Sequence, residues 1–123
     1  MKTISIHPRL DEFRSLEDGW LEGHGVAPPA SGLDWFAEAF GLGYADDLPV
    51  PYLYPTESGG IQLEWSISPF EASLEIDLGK RRGEWHCLNM NTDEDELLEL
   101  DLSGASGWGQ LAMALRRLAG DSG

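Results

Sequence analysis

One cysteine, Cys87, stands alone in 123 residues. An internal disulfide is therefore ruled out, and so is a cysteine-based zinc site. Bases are almost as scarce, with 8 Lys and Arg set against 22 Asp and Glu for a net charge of -14. Their placement says more than their sum. Between Arg14 and Lys80 there are twelve acids and no Lys or Arg, and between Arg82 and Arg116 seven more acids, again with no base. Most of these carboxylates lack a cationic neighbour in the chain, so they stay solvated or meet a partner from outside. Direct binding to DNA, RNA or an anionic membrane is excluded by repulsion, and a basic partner is attracted instead. No apolar run approaches the length of a membrane span. The N-terminal M-K-T-I-S-I-H-P has too short an apolar patch for a signal peptide, and a soluble, cytoplasmic protein is expected.

Motifs that would name a reaction are missing as well. His7, His24 and His86 never fall in an H-x-x-x-H spacing. Asp93, Glu94, Asp95 and Glu96 lack the alternation and central Gly of a calcium loop. Gly23-His24-Gly25 and Gly41-Leu42-Gly43 begin a phosphate-loop pattern and do not complete it. G-A-S-G-W around Ser106 misses the last Gly of a nucleophile elbow. His86 and Cys87 are adjacent, and in a strand adjacent side chains point to opposite faces, so they make no nucleophile–base pair. No cofactor, metal or enzymatic activity is expected.

What the chain does contain is alternation. Ile61, Leu63, Trp65 and Ile67 interleave with Gln62, Glu64, Ser66 and Ser68; after Pro69, Phe70, Ala72, Leu74, Ile76 and Leu78 interleave with Glu71, Ser73, Glu75 and Asp77. A period of two marks strands with one buried and one wet face, and the Ser-Pro break makes them an antiparallel pair. With 41% hydrophobic residues and five Trp there is material for a core, and 123 residues read as a single domain, 1–123.

The remaining elements follow in order. A short strand is expected over Thr3 to Ile6, a helix from about Pro8 to Asp18, and a Gly- and Pro-rich loop to Ser31 that Trp20 anchors to the core. Ser31 reads as the cap of a helix carrying Leu33, Phe36, Ala37 and Phe40, ended by Gly41 and Gly43. Pro51 to Pro55 is an extended edge segment whose Tyr52 and Tyr54 share a face, with packing their expected role and exposed contact anchors the alternative. Glu84 to Met90 is a third strand whose inward face is undecided. Asn91 to Glu96 reads as an acidic loop, and Leu97 to Leu102 as a strand with Leu98, Leu100 and Leu102 inward. Leu111, Ala114, Leu115 and Leu118 form the stripe of a last helix capped near Ser106, with Arg116 and Arg117 serving its negative pole. The expected class is α+β, an antiparallel sheet of four to five strands with two to three helices packed on one face.

Asp18-Gly19-Trp20, Gly23, Gly25 and Pro28, followed by Pro55, Thr56, Gly59, Gly60, Ile61, Gln62, Leu63, Glu64 and Trp65, resemble the signature of a family of small bacterial proteins of unknown function. That family has a D-G-W…G-x-G…P loop before a P-T-x-x-G-G-[IV]-Q-L-E-W strand. The likeness spans roughly Leu16 to Leu78 and implies no activity. In size, charge and absence of catalytic motifs alone, the chain is similar to acidic inhibitors such as DNA mimics, anti-CRISPR proteins and antitoxins.

The acids of the strands should line the sheet face left open by the helices. The expected partner-binding residues are Glu64, Glu71, Glu75, Asp77, Glu99 and Asp101, extended by Asp93, Glu94, Asp95 and Glu96 of the loop. Same-face carboxylates sit about 5 Å apart between strands and about 7 Å apart along one, close to a phosphate repeat. The expected function is a non-catalytic protein that binds, and inhibits or masks, a basic nucleic-acid-binding protein. The alternative is a small accessory or scaffold domain, dimeric through the 51–55 edge, whose acidity serves solubility.

Overall fold

A computed structural model of the chain describes residues 6–122. Of the strand expected over Thr3 to Ile6, only Ile6 lies within the described residues, and it precedes the first helix as its N-cap. The order of elements is α1 (His7–Arg14), α2 (Ala30–Gly43), β1 (Tyr52–Pro55), β2 (Ile61–Ile67), β3 (Phe70–Asp77), β4 (Arg82–Asn89), β5 (Asp95–Asp101) and α3 (Ala105–Ser122). The five strands form one sheet in the order β1-β2-β3-β4-β5, every pair antiparallel. The α+β class holds.

Alternation dictates the core. Leu63 and Trp65 of β2, Leu74 and Ile76 of β3, Trp85 of β4 and Leu100 of β5 are buried on one sheet face. Against them the helices bring Leu10 and Phe13, then Leu33, Phe36 and Phe40, then Leu111, Leu115 and Leu118. Each such side chain contributes about 1.5–3 kcal/mol by leaving water. Their polar atoms are provided for. Trp65 Nε1 donates to the Tyr44 hydroxyl at 3.0 Å and to the Pro49 carbonyl at 3.2 Å, and Trp108 Nε1 donates to the Leu102 carbonyl at 3.0 Å. Burial pushes the Tyr44 hydroxyl up to about 12, against the opposing effect of the Trp65 bond.

Two glycines mark where backbones touch. A Cβ on Gly107 would stand 1.9 Å from the Asp101 carbonyl oxygen, so the first turn of α3 lies directly on the end of β5. A Cβ on Gly60 would stand 2.4 Å from the Ile76 carbonyl oxygen, where the segment entering β2 crosses β3.

Several expected boundaries move. Helix α1 stops at Arg14, short of Asp18. Pro29, extended at φ -68° and ψ 140°, is the N-cap of α2, so Ser31 lies inside the first turn and caps nothing. Helix α2 ends at Gly43 as expected, the chain turning extended at Tyr44, and Gly41 lies within its last turn. Trp20 closes its loop on itself: its Nε1 donates to the Val26 carbonyl at 3.0 Å, and its ring lies over Gly25. Helix α3 runs to Ser122, which leaves Arg116 and Arg117 before its last turn. They pair laterally instead, Arg116 with Asp47 at 3.0 Å and Arg117 with Glu96 at 2.6 Å.

Candidate functional site

The face of the sheet away from the helices is built by hairpins whose registers stack side chains in rows. Ser68-Pro69 joins β2 to β3, and its peptide bond is cis. Residues 78–81 turn β3 into β4, closed by the Arg81 N–H on the Asp77 carbonyl at 2.8 Å. Residues 90–94 turn β4 into β5, closed by the Asp93 N–H on the Asn89 carbonyl at 2.8 Å.

One row crosses the whole sheet. Tyr54 stands opposite Gln62, Gln62 opposite Glu75, Glu75 opposite Glu84 and Glu84 opposite Glu99. Three carboxylates thus sit on three adjacent strands, about 5 Å apart at their Cβ atoms. Like charges directly opposite destabilise a sheet, so folding alone gives no reason for this row. Asp77, Arg82 and Asp101 form a second row beside it. Among the described residues Arg82 is the only Lys or Arg on the open phase of the strands, and its guanidinium is engaged by Glu99. Asp101 accepts bonds from the Ser103 hydroxyl at 2.6 Å and the Ser103 N–H at 3.0 Å, which hold its carboxyl below its ordinary value.

Two hollows open on this face. A cleft of about 810 Å³ is lined by the four acids Glu75, Asp77, Glu84 and Glu99 and the two bases Lys80 and Arg82, together with Val26, Pro29, Ser58 and Gly60. The last four join the two glycine-containing loops, tied where the Val26 N–H donates to the Glu57 carbonyl at 2.8 Å. A smaller hollow of about 420 Å³ is lined by Tyr52, Tyr54, Gln62, Glu64, Glu71 and His86 among others. The tyrosines, expected to pack, are instead 66% and 42% exposed.

The predicted acids divide. Glu64, Glu71, Glu75, Asp77, Glu99 and Asp101 all take the open-face phase of their strands. Glu64 is half-buried under a bond from Gln62 Nε2 at 2.6 Å, and Glu71 is bonded by the Ser66 hydroxyl. The loop expected over 91–96 is shorter, because β5 begins at Asp95. Asp93 and Glu94 stay in the turn. Asp95 joins the open face, 3.4 Å from His86 Nε2. Glu96 does not. It pairs opposite Cys87 on the helix side of the sheet, where Trp85 Nε1 at 3.2 Å and Arg117 share one of its oxygens. Glu96 therefore leaves the set of candidate binding residues.

Glu84 enters it. The third strand carries apolar residues on both phases, Trp85 and Cys87 against Leu88 and Met90, and so hides which way Glu84 points. Its register with β3, counted back from the 78–81 turn, is the signal that places it. Cys87 faces the helices and His86 the open side. Burial chiefly, with the Glu96 carboxylate adding to it, pushes the Cys87 thiol up and leaves it a poor nucleophile. Among the described residues no group of three or more His, Cys, Asp or Glu side chains is placed to hold a metal ion. No helix among them is long and apolar enough to cross a membrane. The chain matches no protein-family model, no curated protein and no solved structure.

Proposed function

We propose that this chain is a non-catalytic acidic interaction protein of the bacterial cytoplasm that binds and masks a basic nucleic-acid-binding protein, as DNA mimics, anti-CRISPR proteins and antitoxins do. The observation that supports this best is the Glu75–Glu84–Glu99 row. It keeps Glu75 and Glu84 directly opposite with no cation on their row, beside Glu99, which Arg82 engages, an arrangement that stability disfavours and that a cationic partner relieves. Asp77 and Asp101 continue the charge along their strands at about 7 Å, so the face offers carboxylates at spacings a phosphate-binding surface accepts. Tyr52 and Tyr54 add exposed aromatic rings at the rim, of the kind that anchor interfaces.

The accessory-domain alternative, dimeric through residues 51–55, finds less support. Arg9 Nε donates to the Leu53 carbonyl at 2.8 Å, so that edge already has an occupant.

The test is affinity capture from a bacterial lysate at low and high salt, with the wild-type chain and with Glu75→Lys combined with Asp77→Lys. The expected result is a basic nucleic-acid-binding protein held by the wild type at low salt, released by high salt and not retained by the variant. Equal retention by both chains removes the open face from the account. No capture at all leaves the acidity as a solubility device.

A further inference from the structure

The two edges of the sheet are finished differently. Strand β1 is four residues long and begins after Pro51 and ends on Pro55. Its outward Leu53 carbonyl is taken by Arg9, whose guanidinium also lies 5.8 Å from the Tyr54 ring centre. Short length, proline and a covering side chain are the devices by which proteins close an edge to further strands.

Over residues 95–99 strand β5 has none of these three devices, the backbone of α3 lying against its last residue, Asp101, and its side chains close it by charge alone. It runs seven residues, D-E-L-L-E-L-D, without proline or lysine. Two bonds fix the phase of its ladder with β4: the Leu102 N–H donates to the Arg81 carbonyl at 2.9 Å, and the Asn89 N–H to the Glu94 carbonyl at 2.9 Å. Antiparallel bonding alternates, so Leu100, Leu98 and Glu96 bond inward. The N–H and C=O groups of Asp95, Leu97 and Glu99 then face outward. Leu97 is 64% exposed on the open face between the carboxylates of Asp95 and Glu99, and Leu98 is 41% exposed on the other side.

Charge selects what can pair there. A second copy laid antiparallel about Leu97 sets Asp95 against Glu99 and Glu99 against Asp95, and that repulsion closes the edge to self-association. A segment with Lys or Arg at the same two places meets attraction at both. We infer that β5 is a docking edge: an extended segment of a basic partner adds there as a further strand, its Lys or Arg opposite Asp95 and Glu99 and an apolar residue opposite Leu97. This rests on the reading that the acidic face binds a basic protein. It adds that main-chain hydrogen bonds at β5 hold the partner in register while the face supplies the charge.

The probe is a synthetic peptide, Thr-Lys-Thr-Val-Thr-Lys-Thr, with a scrambled control that places the two lysines side by side. Peptide is titrated into the full chain while amide hydrogen exchange is followed residue by residue. Exchange at Asp95, Leu97 and Glu99 should slow roughly tenfold or more, with Leu98 and Leu100 unchanged because their N–H groups are already bonded. Leu97→Pro removes one outward N–H, keeps every charge and spares the β4 ladder. It should weaken the peptide roughly tenfold with helix and sheet signals retained. Peptide binding that leaves those three amides unprotected, or that the scrambled peptide matches, overturns the docking edge. So does protection of the same amides by concentration-dependent dimerisation without peptide. If Leu97→Pro does not fold, the wild-type exchange pattern decides alone. The two readings also fail separately. Capture of a basic partner that Glu75→Lys with Asp77→Lys abolishes and Leu97→Pro leaves intact ends the edge inference and keeps the acidic face.

Discussion

Glu75 of β3 lies directly opposite Glu84 of β4, with neither carboxylate joined to a cation on its own row. Among the described residues the only guanidinium on the strands' open phase belongs to Arg82, one row away, and it turns to Glu99. A sheet selected for stability alone would place Lys at one of these positions. Glu84→Lys should therefore stabilise the fold by about 0.5–1 kcal/mol, read as a raised midpoint in urea, while abolishing capture of a basic partner. A lowered midpoint would mean that the row is not under repulsion.

Glu96 separates charge from function. It bears the same charge as Glu99, three residues on, yet faces the helices and receives Trp85 Nε1 and Arg117. Glu96→Gln should lower stability by about 1 kcal/mol and leave partner binding unchanged. Glu99→Gln should do the reverse, weakening binding with little effect on the denaturation midpoint. Equal binding losses in the two variants would point to net charge rather than to the open face.

The contact between α3 and β5 is backbone on backbone. Gly107→Ala puts a methyl group 1.9 Å from the Asp101 carbonyl and forces the helix away from the strand. The expected loss is about 3 kcal/mol, measured by urea unfolding, whereas Gly104→Ala, with open space around its Cβ, should stay within about 1 kcal/mol of wild type.

Acid should remove one local contribution. The Ser103 hydroxyl and N–H hold the Asp101 carboxyl below its ordinary value, with Arg82 adding to them. A depressed carboxyl stabilises the fold above its unfolded value, about 3.9, and that stability fades as pH falls through the lower folded value. The difference in melting temperature between wild type and Asp101→Asn should therefore be full at pH 6 and shrink below about pH 4. A difference that is constant from pH 6 to pH 2 would show that the charge of Asp101 contributes nothing.

Much of this was legible in the sequence where one phase of a strand is apolar and the other polar. The β2 and β3 residues meet that condition, and four open-face acids, Glu64, Glu71, Glu75 and Asp77, follow from it. Strand β4 did not, because Trp85, Cys87, Leu88 and Met90 populate both phases; only its pairing with β3 settles that Glu84 faces outward. The D-E-D-E run reads as solvated, while the orientation of Glu96 depends on Trp85 and Arg117, which are 11 and 21 residues away. The capping of the Leu53 carbonyl by Arg9 spans 44 residues and leaves no local trace. Ser31 is a good capping residue in isolation, but Pro29 already holds the extended conformation from which α2 starts.

The most direct test is displacement. A basic protein captured by the wild-type chain is loaded with fluorescently labelled duplex DNA, and the chain is titrated in at fixed salt. The account predicts release of the DNA by the wild type and none by Glu84→Lys. A ternary complex, with the DNA retained as the chain binds, would contradict it.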